Sequence, residues 1–446
     1  MRKNKTKVQG KSNLVPFQRL GILVILTFIC QLNLRAQALT IETCKEKAKT
    51  NYPLIKQYGL IEQTAQYNIS NANKGYLPQL SFSAKATYQS AVTQIPAVLG
   101  ETLSEIAKKA VTFPSLGKDQ YQAVAEADQL IWDGGAILAQ KKVTHTETEV
   151  EKQKLEVDLF ALNDRINQLF FGILLMNEQL KQNNILINEL GVDINRIVAY
   201  KQNGVANQAD IDALKVEQLN ANQHDTELKS TRKAYFIMLS TFTRLKIDEN
   251  TELAKPEINL ALLNDTTNHR PELKLFDAQD RMYESQKLLL DAGNLPKIGV
   301  FLQGGYGKPG LNMFSDNFSP FYIGGIKLSW NFSGLYSQKN NLRKIDISKK
   351  ANDIQKETFL FNNSLLTKQQ QTEIEELQST LANDDEIIRL RGNIKKSTST
   401  RVDNGTLTVT DLIRETNAEN QVIQLKSLHE IQLIMSVYQL KNNVNN

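Results

Sequence analysis

The chain repeats itself at a distance of 218 residues, and this duplication limits what it can fold into more than any other feature. Tyr52-Pro53 opens a helical stretch that stops at Gly75 and Leu77-Pro78, and Arg270-Pro271 opens another that stops at Gly293 and Leu295-Pro296. The two prolines are 25 residues apart in both copies. Behind each second proline an alternating pattern begins: Leu80, Phe82, Ala84, Ala86, Tyr88 in the first, Ile298, Val300, Leu302, Gly304, Tyr306 in the second. Further on, Asn203-Gly204 with Asp210-Ile211 returns as Asn404-Gly405 with Asp411-Leu412, now at an offset of 201. A repeat this long describes one structural unit used twice, not a short-period solenoid. The first unit covers residues 39–255 and the second 256–446.

The N-terminus reads as an export signal over residues 1–38. Basic residues precede an apolar run from Leu20 to Leu32, and Ala36-Gln37-Ala38 supplies a small-x-small cleavage pattern. Ile29 before Cys30 argues against acylation, which needs a small residue there. Removing the signal takes away seven basic residues and no acids, so the formal charge moves from +5 to −2 and a nucleic-acid partner is not expected. One cysteine, Cys44, is left, which reads as a small hydrophobe packed in the first helix and permits no internal disulfide. Beyond the signal no stretch reaches the ~18 consecutive apolar residues of a membrane-spanning helix. A bilayer crossing would have to use strands.

Long helices are available in both units, since no proline lies between Pro114 and Pro256 or after Pro320. From Leu155 to Ile197, apolar residues follow 4-3 spacing with Asn183 as the polar interruption, the signature of coiled-coil packing. Gly134 to Gly204 would span about 100 Å as a helix, and Gly334 to Gly405 is one residue longer. Both turn at Asn-Gly and head back, giving helical hairpins over about 134–245 and 334–441. The second is more polar in its ascending arm, where Lys368, Gln369, Gln370 and Gln371 replace the first copy's Leu169, Phe170 and Phe171. A solvated outer face and the lining of a water-filled interior both account for that polarity.

Four strands are expected, over about 79–89, 121–132, 297–306 and 322–332. Alternation of apolar and polar residues over about ten positions is the pattern of a transmembrane barrel strand. Trp132, Trp330 and Phe332 fall at the strand ends, where interfacial aromatics belong. Four strands cannot close a barrel, since about eight is the minimum, and an open sheet in lipid would leave two unpaired edges. Several copies must then share one barrel: eight strands from two chains, or twelve from three with room for an aqueous passage. A soluble periplasmic coiled-coil adaptor or scaffold with a small β-domain is the alternative, and a surface binding protein using the 90–119 loop is a third.

Catalytic chemistry finds no support. Gly305-Tyr306-Gly307-Lys308-Pro309-Gly310 fits G-x-G-x-x-G, but a dinucleotide loop must open a helix and Pro309 with Leu311 to Asp316 offers no start. His145, His224, His269 and His429 are scattered without metal spacing. The chain reads as no enzyme, with no cofactor and no metal.

In this order, and twice over, the motifs resemble the TolC family of outer-membrane efflux proteins across essentially the whole mature chain. They are Leu39-Thr40-Ile41-Glu42, Asn51-Tyr52-Pro53, Arg270-Pro271-Glu272-Leu273, the two Leu-Pro pairs, Trp132-Asp133-Gly134-Gly135, Phe332-Ser333-Gly334 and the Asn-Gly tips. The resemblance implies a mainly α protein with transmembrane β-strands. Coiled-coil hairpins would form a periplasmic α-barrel, continued by an outer-membrane β-barrel of four strands per protomer and twelve per homotrimer, in a Gram-negative envelope. It implies a passive exit duct for efflux or type I secretion, with outer-membrane lipid, a periplasmic adaptor and an inner-membrane RND or ABC transporter as partners. It further implies an acidic ring at Asp411, matched by Asp210 in the first copy; Arg414 stands where a second family acid would, against a double ring. Entrance contacts at Arg401 and Asp403, and adaptor docking at Gly204, Val205, Gly405, Thr406 and Leu407, complete the expected sites. The local alternative for the tip glycines is simply to turn the chain, and for the aspartates an exposed helix surface.

Overall fold

The computed structural model describes residues 38–93, 96–108, 116–258 and 267–445. The expected export signal, but for its last residue, lies outside them. Helices and strands alternate as α1 (Ile41–Asn51), a 3-10 turn (Pro53–Lys56), α2 (Gln57–Lys74), β1 (Gln79–Tyr88), α3 (Ala97–Ala107), β2 (Asp119–Trp132), α4 (Ala136–Phe160), α5 (Leu162–Gln202) and α6 (Gln208–Thr243). The second repeat follows with α7 (Pro271–Gly293), β3 (Lys297–Lys308), β4 (Ser319–Ser329), α8 (Ser333–Asp403) and α9 (Val409–Val444). Among the described residues no helix is long and apolar enough to cross a membrane.

The chain divides into two compact units. One contains the sheet and comprises residues 49–165, 260–376 and 436–446. Its four strands pair antiparallel in the order β1-β2-β3-β4, so among the described residues β1 and β4 are edges with no further strand. Register sorts the side chains cleanly by face. Leu80, Phe82 and Tyr88 of β1, Ala123, Ala125 and Ala127 of β2, Ile298, Val300, Leu302 and Tyr306 of β3, and Tyr322, Ile326 and Leu328 of β4 share one face. The other carries Ser81, Ser83, Lys85, Gln122, Glu126, Asp128, Gln303 and Lys327. Large apolar side chains on the first face stand open, with Phe82 at 76% and Tyr322 and Ile326 at 79% exposure. A soluble sheet would cover such a face; an apolar face without cover asks for lipid or a partner.

Aromatics bound the apolar face at both ends. At one end Tyr88, Tyr121 and Tyr306 gather, and Phe318 stacks on Tyr306 with centroids 5.7 Å apart. At the other, a bulge between Leu130 and Trp132 shifts the alternation so that Trp132 pairs with Ile298 on the apolar face. Eight residues separate Tyr306 from Ile298, about 27 Å along a strand, which strand tilt reduces to near the ~25 Å apolar band of a transmembrane barrel.

Strand limits differ in part from the sequence reading. β2 starts two residues sooner, β3 runs to Lys308, and β4 spans Ser319–Ser329, not 322–332. Trp330 and Phe332 therefore lie just beyond β4. Pro320 is tolerated because β4 is an edge strand near its first residue. The strand stops where Asn331 turns to accept hydrogen bonds from the Ser333 amide (3.0 Å) and hydroxyl (2.7 Å). Trp330 donates its indole N–H to the Asn294 carbonyl at 3.0 Å, and its ring contacts Phe332 at 4.5 Å. In the first repeat Asp133, 2% exposed, does the equivalent work, accepting from the amides of Gly135 (2.9 Å) and Ile137 (2.5 Å) at the start of α4. Gly134 has φ +72° and a Cβ there would lie 2.6 Å from that of Leu295, so this position of the Trp-Asp-Gly-Gly junction admits no side chain.

In the same unit, α4 packs on α7 and α2. Ala278, Ser285 and Ala292 recur every seven residues on α7 and are buried, small enough for a close approach. Ser285 meets Thr146 of α4 at 2.7 Å. The long helix expected from Gly134 is interrupted once, at Ala161, which keeps helical angles (φ −61°, ψ −17°) and bonds to Val157 at 3.3 Å. The 4-3 pattern survives the interruption: Leu155, Leu159, Leu162, Ile166, Leu169, Ile173, Leu180, Leu190 and Ile197 are buried. Helix α3, inside the 90–119 loop, was not foreseen.

The second unit comprises residues up to Ala48 with 166–259 and 377–435. Leu39 bridges to Leu253, and Ile41, Cys44 and Ala48 bury one face of α1 completely. Burial pushes the Cys44 thiol up to about 12, so it behaves as the packed hydrophobe its position suggested. Asn183, the polar interruption of the seam, donates to the Ala221 carbonyl at 2.8 Å and ties α5 to α6.

Candidate functional site at the hairpin tips

Both tips follow one hydrogen-bonding plan. Where α5 ends, Gly204 takes φ +76° and its amide donates to Lys201 O (3.0 Å), while Val205 donates to Tyr200 O (2.9 Å). Where α8 ends, Gly405 takes φ +69°, with Gly405 to Val402 (2.9 Å) and Thr406 to Arg401 (2.8 Å). These are Schellman caps, which need a left-handed residue that glycine adopts without penalty. Three residues after each glycine the next helix is capped. Asn207 and Asp210 exchange side chain and backbone bonds (3.1 and 3.0 Å) in a capping box. Thr408 and Asp411 do the same: Asp411 accepts from the Thr408 hydroxyl (2.7 Å) and amide (3.1 Å), and its own amide donates to the hydroxyl (3.2 Å).

The shared spacing of glycine and aspartate is thus the grammar of helix stop and helix start. Hydrogen bonds from the Thr408 hydroxyl and then its amide, aided by Arg414 3.1 Å away, hold the Asp411 carboxyl below the usual carboxylate range. Arg414, where the resemblance would put a second acid, instead pairs with Asp411 and Glu415.

Above the tips the two hairpins share a core. Leu186, Leu190 and Ile197 of α5, Ile211, Leu214 and Ala221 of α6, Val402 of α8 and Val409 and Leu412 of α9 form one buried cluster, with Leu407 packed against it. Val205 is 59% exposed and Thr406 is also exposed, so the five expected docking residues divide into two turn glycines, two open side chains and one core contact.

Beside this core a polar ladder joins α5 to α8. Asp403 accepts from the Tyr200 hydroxyl at 3.0 Å and lies 3.3 Å from Arg196. Arg196 also holds Asp193 (2.7 Å) and the Ser399 hydroxyl (2.9 Å). Higher up, Lys395 clamps Glu189 at 2.6 Å and, from the other side, Glu419 of α9; Arg391 reaches Glu415 at 3.4 Å. Burial alone would lower the Lys395 pKa, but its hydrogen bonds to Glu189 and Glu419 prevail and raise it. Burial likewise raises Asp193 against the pull of Arg196. Of the two expected entrance residues, Asp403 bridges the hairpins, while Arg401 offers its backbone carbonyl to the turn and forms no ion pair among the described residues. The sequence reading missed Arg196, Tyr200 and Lys395. The i, i+4 spacing of Arg196 and Tyr200 on α5 was visible, but that they and Lys395 of α8 face each other's helix was not.

Among the described residues no group of three His, Cys, Asp or Glu side chains could hold a metal. What the site offers is a pair of capped turns and a polar seam between the hairpins.

No family model matches the sequence, and no curated protein does. Solved structures do. A membrane protein from Pseudomonas aeruginosa is 11% identical and covers 91% of this chain and 90% of its own, with a TM-score of 0.65. The outer membrane protein VceC from Vibrio cholerae is 11% identical, with coverage of 91% and 94% and a TM-score of 0.61. The MtrE outer membrane channel of Neisseria gonorrhoeae, in its open state, is 11% identical, with coverage of 91% and 89% and a TM-score of 0.60. At such identity the likeness is one of fold. The chain has the TolC-like fold of outer-membrane channels, with long helical hairpins joined to a four-stranded antiparallel sheet.

Proposed function

We propose that the protein is a homotrimeric outer-membrane channel that passively conducts substrates from an inner-membrane RND or ABC transporter, received through a periplasmic adaptor. The observation that carries this reading is the open sheet. Between two belts of aromatics its apolar side chains stand exposed, and among the described residues both its edges lack partner strands. In lipid each unpaired backbone group costs several kcal/mol, so β1 must meet β4 of another copy. Three copies give twelve strands and a water-filled bore behind the polar face.

The helices support the same assembly. On α8, Ile347, Ile354 and Phe361 stand exposed at heptad spacing (65%, 62% and 61%), an apolar stripe suited to a neighbouring copy. Trp132, Trp330 and Phe332 would lie at the periplasmic interface, and the tips around Gly204, Val205, Gly405, Thr406 and Leu407 would receive the adaptor. Asp411 would border the entrance and Asp210 the outside, each also capping its helix. The Tyr200–Asp403–Arg196 contacts would hold the entrance shut, with Arg401 reaching toward a neighbouring copy.

In detergent the protein should size as three copies, cross-link as a trimer and conduct in planar bilayers. Recovery only as a monomer, from the periplasm without detergent, would end this reading.

A further inference from the structure

Alongside Val124 and Ile323, two phenylalanines break the pattern of the polar face, and each is set against a glycine. Phe301 of β3 and Phe321 of β4 share that face with Lys85, Glu126 and Gln303. Both rings are half-buried, while apolar neighbours on the opposite face such as Leu302 and Tyr322 are exposed. The reason is their cross-strand partners: Phe321 pairs with Gly305 and Phe301 with Gly325, a reciprocal arrangement between β3 and β4. A Cβ on Gly305 would stand 2.8 Å from Cε1 of Phe321 and 2.9 Å from the Ala123 carbonyl; one on Gly325 would stand 3.2 Å from Cε1 of Phe301. Each ring therefore fills the space its partner's missing side chain leaves.

Glycine within a strand is unfavourable and marks a close approach by another group, here an aromatic ring. The glycines of the apolar face make no such contact. Gly304 has nothing within 4 Å of a built Cβ, and Gly324 meets Leu302 only at 3.4 Å. Side chains on a strand otherwise stand roughly perpendicular to the sheet, so a Phe without its glycine would project from the wall.

We propose that Gly305 and Gly325 are the residues that keep the bore of the sheet clear, by letting Phe321 and Phe301 lie along the wall instead of across the passage. This rests on the channel reading, in which the polar face lines the bore. In a trimer six rings are involved, and together they set the size of solute the barrel admits.

The test uses full-length protein in intact cells carrying Gln303→Cys, which lies on the polar face between Phe301 and Gly305. Native Cys44 is buried and its raised pKa keeps it silent. Maleimides of graded size are added from outside. Gly325→Ala, whose new methyl would crowd the Phe301 ring at 3.2 Å with no backbone atom as near, should abolish labelling by the largest reagents while sparing the smallest. Adding Phe301→Ala should restore it, and Gly304→Ala should change nothing. Gly305→Ala should act in the same direction as Gly325→Ala, with rescue by Phe321→Ala. Equal size limits for Gly325→Ala and Gly304→Ala, or a loss that persists once the ring is removed, would overturn the proposal. If Gln303→Cys alone resists even the smallest water-soluble reagent, the polar face is not a bore and the channel reading itself fails.

Discussion

The two hairpins share their ends and differ in their shafts. Both tips use the same glycine cap and the same capping box. The ascending arm of the first, however, buries Leu155, Leu159, Phe170, Phe171 and Ile173, whereas the buried residues of α8 include Asn352, Thr367, Gln370, Asp384 and Thr398. Two of these, Asn352 and Gln370, have a buried side-chain oxygen with no partner; in the first arm Asn167 shares that condition. A buried unpaired polar group costs about 1–3 kcal/mol, whereas a buried phenylalanine stabilises by a similar amount or more. One repeated unit has thus been fastened by apolar packing in one copy and by polar contacts in the other.

The largest test of this contrast is core truncation. Phe170→Ala should cost ~3–5 kcal/mol, while Gln370→Ala, which removes an amide with an unpaired oxygen, should stay within about 1 kcal/mol. Denaturant midpoints compare them, and equal losses would erase the distinction between the arms.

Next in size is the clamp between them. Lys395→Met would strand Glu189 and Glu419; because these groups are only partly buried, the cost should be ~1–2 kcal/mol. The Lys395 pKa is raised in the fold, so its contribution is complete below the ordinary lysine value of 10.5 and is lost as pH rises through the higher folded value. The wild type should show an alkaline loosening that the variant lacks, read by protease sensitivity of the tips.

Gly204→Ala and Gly405→Ala should each cost roughly 1 kcal/mol, since both residues are left-handed. Similar losses sharpen the claim that the tips are built alike. Smallest in stability, but decisive for function, are Asp210→Asn and Asp411→Asn. Both weaken a capping box, yet only Asp411→Asn should shift the reversal potential of the open channel. The Asp411 cap is complete above the ordinary aspartate value of 3.8 and weakens as pH falls through its lower folded value. Equal electrical effects from both variants would place the two tips on the same side of the pore wall.

Most of the architecture was legible because it is written in local signals. The paired prolines, the period-two runs and the heptads each report on a few neighbouring residues, and Leu155 to Ile197 kept its buried stripe across the break at Ala161. Strand limits were harder. The bulge at Ile131 reverses which face a side chain takes, and Pro320 reads as a breaker until β4 is known to be an edge. At the tips, Asn207-x-x-Asp210 and Thr408-x-x-Asp411 could have been read from the sequence as capping boxes, a signal passed over in favour of a pore ring. The ladder through Arg196, Tyr200, Lys395 and Asp403 could not, because contacts about 200 residues apart leave no local trace.

The bare rims of β1 and β4 bear on how the molecule is made. A solitary subunit entering the bilayer would carry unsatisfied peptide groups into oil, an expense that rises with every strand residue immersed. On the channel reading, insertion and association cannot be successive steps: the ring would be completed in water, or at the membrane surface, by whatever machinery delivers it.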